Sequence, residues 1–164
     1  MGVVAIGHGA PRNRERMLQH LRNYNHIALK GHALIDQSLG SIIAKHCRSA
    51  PVLDGVNIPF HIKCKLARAL VGDSHGAALW NLVWRLYLIR TEIACRADSP
   101  GVKRSIREFI AEESRWAQTF TPTISNDNDL ASGFADSIEV LLGVLAAVER
   151  SAQANTTNGT PRSS

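Results

Sequence analysis

Apolar and small residues recur at intervals of three and four along most of this chain. Steps of three and four place side chains on one face of an α-helix, whereas a half-buried strand needs strict alternation. The first such series begins near residue 14 and ends near residue 47. Its members are Met17, Leu21, Tyr24, Ala28, Gly31, Ile35, Leu39 and Ile42. The series predicts one long helix, in which Gly31 and Gly40 either weaken or kink the helix or let another helix approach closely.

Four further segments show helical spacing and are separated by breakers. Residues 60–71, 77–97 and 100–116 each form a predicted helix, and Ser99 and Pro100 supply a suitable N-cap and first position for the third of these. The last predicted helix carries apolar residues at Phe134, Ile138, Leu141, Leu145 and Val148. The fold class expected from this pattern is an all-α, single-domain helical bundle of about five helices.

Length and composition set the domain organisation and the compartment. The chain has 164 residues, 45% of them apolar, which suits one domain with a packed core. We expect an N-terminal extension over 1–13, the bundle over 14–150 and a disordered tail over 151–164, where little can be buried. Three cysteines without a C-x-x-C pair indicate a reducing compartment. With no apolar run long enough to span a membrane and no secretory signal, the sequence predicts a soluble, cytoplasmic protein.

Positive charge is concentrated in the N-terminal part of the chain. Residues 1–50 carry seven Lys/Arg against two Asp/Glu, whereas residues 101–164 carry six against eight. Such a basic segment either attracts a polyanion or is an ordinary solvated helix start. The candidate RNA-binding residues are Arg12, Arg14, Arg16 and Arg22.

The histidines and cysteines do not form a recognisable metal site. His46 and Cys47 are adjacent and therefore point about 100° apart on a helix. The pair His61 and Cys64 would have to dock beside them to complete a zinc site. Three other histidines recur every six residues, which leaves an offset of about 120° between neighbours and excludes a shared helical face; they are His20, His26 and His32. We expect no metal and no cofactor.

Arg90 is the most unusual charged residue of the predicted helices. On a helical wheel it lies between two apolar faces, opposite the solvated strip of its own helix. A buried guanidinium without a partner is costly. Arg90 therefore either extends towards solvent or pairs with Asp36 or Asp54 inside the bundle, or it lines a functional pocket or a subunit interface.

Three segments resemble the helical HEPN-like superfamily, especially its mannitol-operon-repressor-like branch. They are "HALIDQSLGSII", "PFHIKCKLARAL" and "LWNLVWRLYLIRTEIACRAD", and the resemblance covers roughly residues 14–98. The branch shows an acidic residue on an early helix, then a Phe-x-x-Lys-x-x-Leu-Ala helix, then a Leu-x-x-Ile/Leu-Arg helix. The matching positions are Asp36; Phe60, Lys63, Leu66 and Ala67; and Leu86, Ile89, Arg90 and Ala94.

The resemblance implies an RNA-related activity at a dimer interface. HEPN ribonucleases cut RNA without metal through an Arg-x4–6-His motif that is usually completed across a homodimer. Here the motif Asn is Thr91 and the motif His is Cys95, so the candidate catalytic residues are Arg90 and Cys95. A thiol is a poorer hydrogen-bond donor than an imidazole and lacks its near-neutral titration.

Three functions follow, in order of preference. The first is a non-catalytic HEPN-like module that dimerises and binds RNA or a protein partner in regulation or defence. The second is a metal-independent endoribonuclease of toxin or phage-defence type, in which another group replaces the motif His. The third is a transcriptional regulator that acts indirectly, because no helix-turn-helix with a polar recognition helix is evident.

Overall fold

Five α-helices and one short 3-10 turn make up the described part of the chain. The structure, a computed structural model, describes residue 18 and residues 23–47, 49–72, 76–96 and 99–157, with side chains to residue 152. The helices are α1 (Tyr24–His46), α2 (Phe60–Val71), α3 (Ala77–Arg96), α4 (Pro100–Ala117) and α5 (Asp127–Thr157), and the 3-10 turn is Ala50–Leu53. The structure is 82% helical, and its described residues contain no strand. The all-α, single-domain prediction is confirmed.

Two helix starts are fixed by side-chain caps. The backbone of Ser99 is extended, and its Oγ accepts a hydrogen bond from the Val102 N–H at 3.2 Å, which confirms the predicted cap of α4. Asn23 plays the same part for α1, since its side chain accepts from the Asn25 N–H at 2.8 Å. The expected start near residue 14 is therefore wrong: α1 begins at Tyr24 because Asn23 leaves the helical conformation (φ −116°).

The last helix is longer than its sequence pattern indicates. α5 continues to Thr157, and the side chain of Ala152 is buried at 5% exposure. The expected disordered tail is therefore wrong over residues 151–157, because small residues with good or moderate helix propensity can extend a helix that is already packed. Residues 158–164 lie outside the described residues.

One helix meets the length and composition of a membrane span, which corrects the expectation that no segment does. The window is Asp127–Ala152 in α5, and 56% of it is buried inside the protein. α5 packs against α1 and α4 and supplies core residues such as Phe134 and Ile138. Its apolar character is therefore that of a helix that supplies the core of the bundle.

Glu113 is the one buried carboxylate in the described residues, at 4% exposure. It lies on α4 and faces α5, where Ser137 Oγ donates to its Oε2 at 3.0 Å. Its other oxygen, Oε1, has no hydrogen-bond partner among the described residues. Burial raises the pKa of Glu113, the Ser137 hydrogen bond opposes this shift, and the negative charge of Asp136 adds to it. The folded protein therefore holds a proton on Glu113 at pH values where the unfolded chain has lost it.

Replacing Glu113 by glutamine is expected to raise the melting temperature at pH 7 by about 2–4 °C, corresponding to about 1 kcal/mol. Because the folded pKa lies above the unfolded value, this carboxyl favours folding at low pH. Its contribution falls as the pH rises from the unfolded pKa through the folded one. Thermal melts between pH 4 and pH 8 should show the decline in wild type and a smaller one in Glu113→Gln. The exposed Glu108→Gln is the control; an equal gain in both variants would contradict the assignment.

Candidate nucleic-acid interface

Arg90 has no carboxylate partner among the described residues. It lies half-buried on α3, and no Asp or Glu oxygen of the described chain is within 4.0 Å of its guanidinium. Asp36 is paired instead with Lys63, whose Nζ donates to Oδ2 at 2.7 Å, and Asp54 is exposed in the turn after the 3-10 segment. Of the alternatives that the sequence leaves open for Arg90, the pairing with Asp36 or Asp54 is therefore excluded. Its charge is therefore left to solvent or to a partner outside the described residues.

His32 connects Arg90 to the other two helices. It lies one turn before Asp36 on α1, and its ring centroid is 4.3 Å from that of Phe60 on α2 and 5.9 Å from that of Tyr87 on α3. Its Nε2 is buried and has no hydrogen-bond partner among the described residues. Burial lowers the pKa of His32; the charges of Arg90 and Lys63 lower it further, and Asp36 opposes them. The imidazole is therefore neutral at pH 7.

The polar and aromatic residues around His32 come from three helices. We call them the three-helix cluster: His32 and Asp36 of α1, Phe60 and Lys63 of α2, and Tyr87 and Arg90 of α3. Within this cluster, the Lys63–Asp36 ion pair ties α2 to α1. Lys63 and Asp36 offset each other and His32 is neutral, so the charge that remains is the positive charge of Arg90.

An aromatic row runs from the cluster along α3. The rings of Phe60 and Tyr87 are stacked, with centroids 5.2 Å apart and planes 9° apart. Trp84 continues the row at 5.1 Å from Tyr87 and is 38% exposed. The row therefore ends in a solvent-facing indole.

The other candidate site residues lie elsewhere. Cys95 is exposed near the end of α3, and five residues of helix put it about 140° around the axis from Arg90. Arg12, Arg14, Arg16 and Arg22 lie outside the described residues. In the part of the chain that the structure describes, no three His, Cys, Asp or Glu side chains are grouped as metal ligands. The sequence analysis names His32 only as one of three histidines that do not share a helical face. The signal that could have identified it as a site residue is its i, i+4 spacing to Asp36, which puts both side chains on one side of α1.

The arrangement suits recognition of an anion that carries flat rings. A guanidinium binds a phosphate through two parallel N–H donors, and aromatic faces stack on bases of any identity. Comparisons of the chain with models of known protein families, with curated proteins and with solved structures find no match. The candidate interface rests on the contacts within this chain.

Proposed function

We propose that this protein is a non-catalytic, HEPN-like helical module that binds RNA in the cytoplasm, in regulation or defence, and works as a homodimer. The observation that carries the proposal is the half-buried Arg90, whose guanidinium has no carboxylate partner in the described chain. It stands beside the neutral His32 and the stacked rings of Phe60 and Tyr87. A partly desolvated cation of this kind is stabilised when a phosphate binds it.

The charge of the whole chain supports the same class of ligand. The formal net charge is +5 and the isoelectric point is about 9.5. Long-range attraction of this sign raises the local concentration of polyanions and makes binding depend on salt. RNA offers phosphates for Arg90 and unstacked bases for the exposed indole of Trp84, whereas an acidic protein surface offers carboxylates but no bases.

The exposed apolar positions of α2 support the homodimer. Ile62, Leu66 and Leu70 recur every fourth residue and are 37%, 40% and 41% exposed. This spacing puts them on one side of the helix, away from the buried Phe60, Cys64 and Ala67. A row of this kind is suited to contact between two copies of the chain.

Arginine 90 is expected to contribute about tenfold to RNA affinity, because one phosphate contact made by a partly buried guanidinium is worth about 1–3 kcal/mol. Fluorescence anisotropy of a labelled 20-nucleotide single-stranded RNA, in EDTA and low salt, compares wild type with Arg90→Ala. The matched control is Arg107→Ala, an exposed arginine on α4. We expect a change of less than about twofold in the control.

Two results would overturn the proposal. The first is the absence of measurable RNA binding by the wild-type protein. The second is an equal loss in Arg90→Ala and Arg107→Ala, which would indicate diffuse charge attraction instead of a site. Far-ultraviolet circular dichroism checks that both variants are folded. Light scattering on a sizing column, run on the same samples, gives the mass and is expected to report the dimer.

A second candidate function, a metal-independent endoribonuclease, is favoured by His32 alone. Its neutral imidazole has an unpaired Nε2 beside Arg90, as a general base requires, and because this nitrogen is buried a substrate would reach it only after the cluster opens. In such a reaction the ribose 2′-hydroxyl gives its proton to the imidazole and its oxygen attacks phosphorus. The bond from phosphorus to the 5′-oxygen breaks, and the imidazolium returns its proton, directly or through water, to that oxygen. RNA cleavage is assayed in EDTA with wild type, His32→Gln and the exposed control His26→Gln. Cleavage products from wild type and His26→Gln, and none from His32→Gln, would make the protein an enzyme.

A further inference from the structure

The imidazole of His32 is held in a fixed place inside the three-helix cluster. Its ring packs against Phe60 of α2 and Tyr87 of α3, with centroid distances of 4.3 and 5.9 Å, and its Nε2 is closed to solvent. A ring that is packed between two other rings keeps its position relative to its neighbours. A change of charge inside the cluster therefore acts on His32 at a nearly constant distance.

Each of the three helices directs one charged side chain of the described chain towards this imidazole. Asp36 lies one turn further along α1, Lys63 comes from α2 and Arg90 from α3. Lys63 and Asp36 form an ion pair at 2.7 Å, so their effects on the imidazole largely offset each other. Tyr87, which packs against the ring, adds a phenol without charge near neutral pH. The charge that His32 faces without compensation is therefore that of Arg90.

In the free protein the charge of Arg90 works against protonation of His32. Burial lowers the pKa of His32 most and the guanidinium of Arg90 lowers it next, because an imidazolium would be desolvated and would stand beside a like charge. Burial is a permanent feature of the fold, whereas the repulsion can be cancelled. A phosphate bound to the guanidinium brings negative charge to the place from which the repulsion comes.

We propose that His32 couples the binding of an RNA phosphate at Arg90 to the uptake of one proton from solvent, so that RNA binding strengthens as the pH falls. This inference rests on the proposed function and adds a form of regulation to the same site. The phosphate contacts Arg90 and not the buried Nε2 of His32. No contact with the imidazole is needed, because charges a few ångströms apart in a partly desolvated cluster interact through space.

The direction of the pH dependence follows from thermodynamic linkage. Because an anion at Arg90 cancels the repulsion of the imidazolium, the pKa of His32 is higher in the RNA complex than in the free protein. A group with a higher pKa in the complex takes up a proton on binding at pH values between the two pKa values. The affinity for RNA therefore rises as the pH falls through the pKa of the complex, and it levels off below the pKa of the free protein.

The first experiment measures the affinity of the full-length protein for the labelled 20-nucleotide RNA between about pH 5 and pH 8, in EDTA and at constant ionic strength. For wild type we expect about a tenfold gain towards low pH, which corresponds to a rise of about one unit in the pKa of His32 on binding. His32→Gln keeps a polar side chain without a titratable group and is expected to lose most of this gain. His26→Gln, an exposed histidine of the same helix, is the matched control and should keep it.

The second experiment needs no variant of His32. The imidazole resonances are titrated by nuclear magnetic resonance with and without saturating RNA, and the pKa of His32 is expected to be about one unit higher with RNA. In Arg90→Ala the pKa of His32 should already be higher without RNA than in wild type, because the like charge is gone. Saturating RNA should no longer raise it in that variant.

The outcomes separate this inference from the proposed function. An equal pH dependence in wild type and His32→Gln, with weaker binding by Arg90→Ala, would overturn the coupling and leave the RNA-binding function standing. A pKa of His32 that RNA does not change would have the same meaning. A folded His32→Gln variant that loses affinity by one factor at every pH would give His32 a contact role and would also overturn the coupling. If wild type binds no RNA, the coupling and the proposed function both fail.

Discussion

Replacing Phe134 by alanine is expected to lower the free energy of unfolding by about 3–5 kcal/mol. Phe134 is fully buried on α5, and its ring meets that of Phe109 on α4 edge to face, with centroids 5.5 Å apart and planes at 88°. The substitution removes the apolar surface of a whole ring and the aromatic contact, and it leaves a cavity between two long helices that cannot close around it. The melting temperature should fall by roughly 10 °C.

Urea unfolding followed by circular dichroism measures the effect of Phe134→Ala. The matched control is Phe120→Ala, because Phe120 is 86% exposed in the loop before α5 and its removal should change the free energy of unfolding by less than about 0.5 kcal/mol. A loss below about 1 kcal/mol for Phe134→Ala would show that the α4–α5 contact is packed more loosely than the structure describes.

The bounds of a helix could be predicted from the sequence where helix-breaking residues flank it on both sides. α2 runs from Phe60 to Val71 as expected, because Pro59 precedes it and Gly72 ends it at a positive φ of 74°. The start of α1 and the end of α5 could not be predicted, since the apolar series before Tyr24 and the small residues after Ser151 are compatible with helix and with loop. Tertiary contacts determine where such helices begin and end, and the spacing of apolar residues carries no information about those contacts.

The members of the candidate site could be predicted better than their pairing. Asp36, Lys63 and Arg90 were singled out from the sequence, and the structure brings them together around His32. A helical wheel gives the direction of each side chain about its own axis but not which helix lies opposite. For that reason the sequence leaves Asp36 as one possible partner of Arg90, whereas in the structure Asp36 pairs with Lys63.

Two glycines of α1 show the same limit of prediction from sequence, which does not reveal which helix lies opposite. From sequence, Gly31 and Gly40 are equivalent: each either weakens the helix or admits a neighbour. In the structure a Cβ on Gly31 would lie 2.9 Å from Ile138 Cδ1 and 3.0 Å from its Cγ2, whereas nothing lies within 4 Å of a Cβ on Gly40. Gly31 is thus the point at which α5 approaches the backbone of α1, and Gly40 lacks any such role.

Gly31→Val is therefore expected to destabilise the protein by about 2–3 kcal/mol, and Gly40→Val to leave it unchanged or slightly more stable. The β-branched side chain at position 31 meets Ile138, which is fully buried and has no free space to turn into, so α1 and α5 must separate. At position 40 the same change only replaces glycine by a better helix former.

Thermal and urea unfolding of Gly31→Val and Gly40→Val measure this difference directly. Both variants introduce valine into the same helix, so intrinsic helix propensity cancels in the comparison. The remaining difference in the free energy of unfolding reports the α1–α5 contact at Gly31. Equal stabilities would mean that α5 does not lie against Gly31, and α1 would then lose its most extensive helix contact. Since His32 and Asp36 lie on α1, that result would also remove the support that holds the three-helix cluster in place.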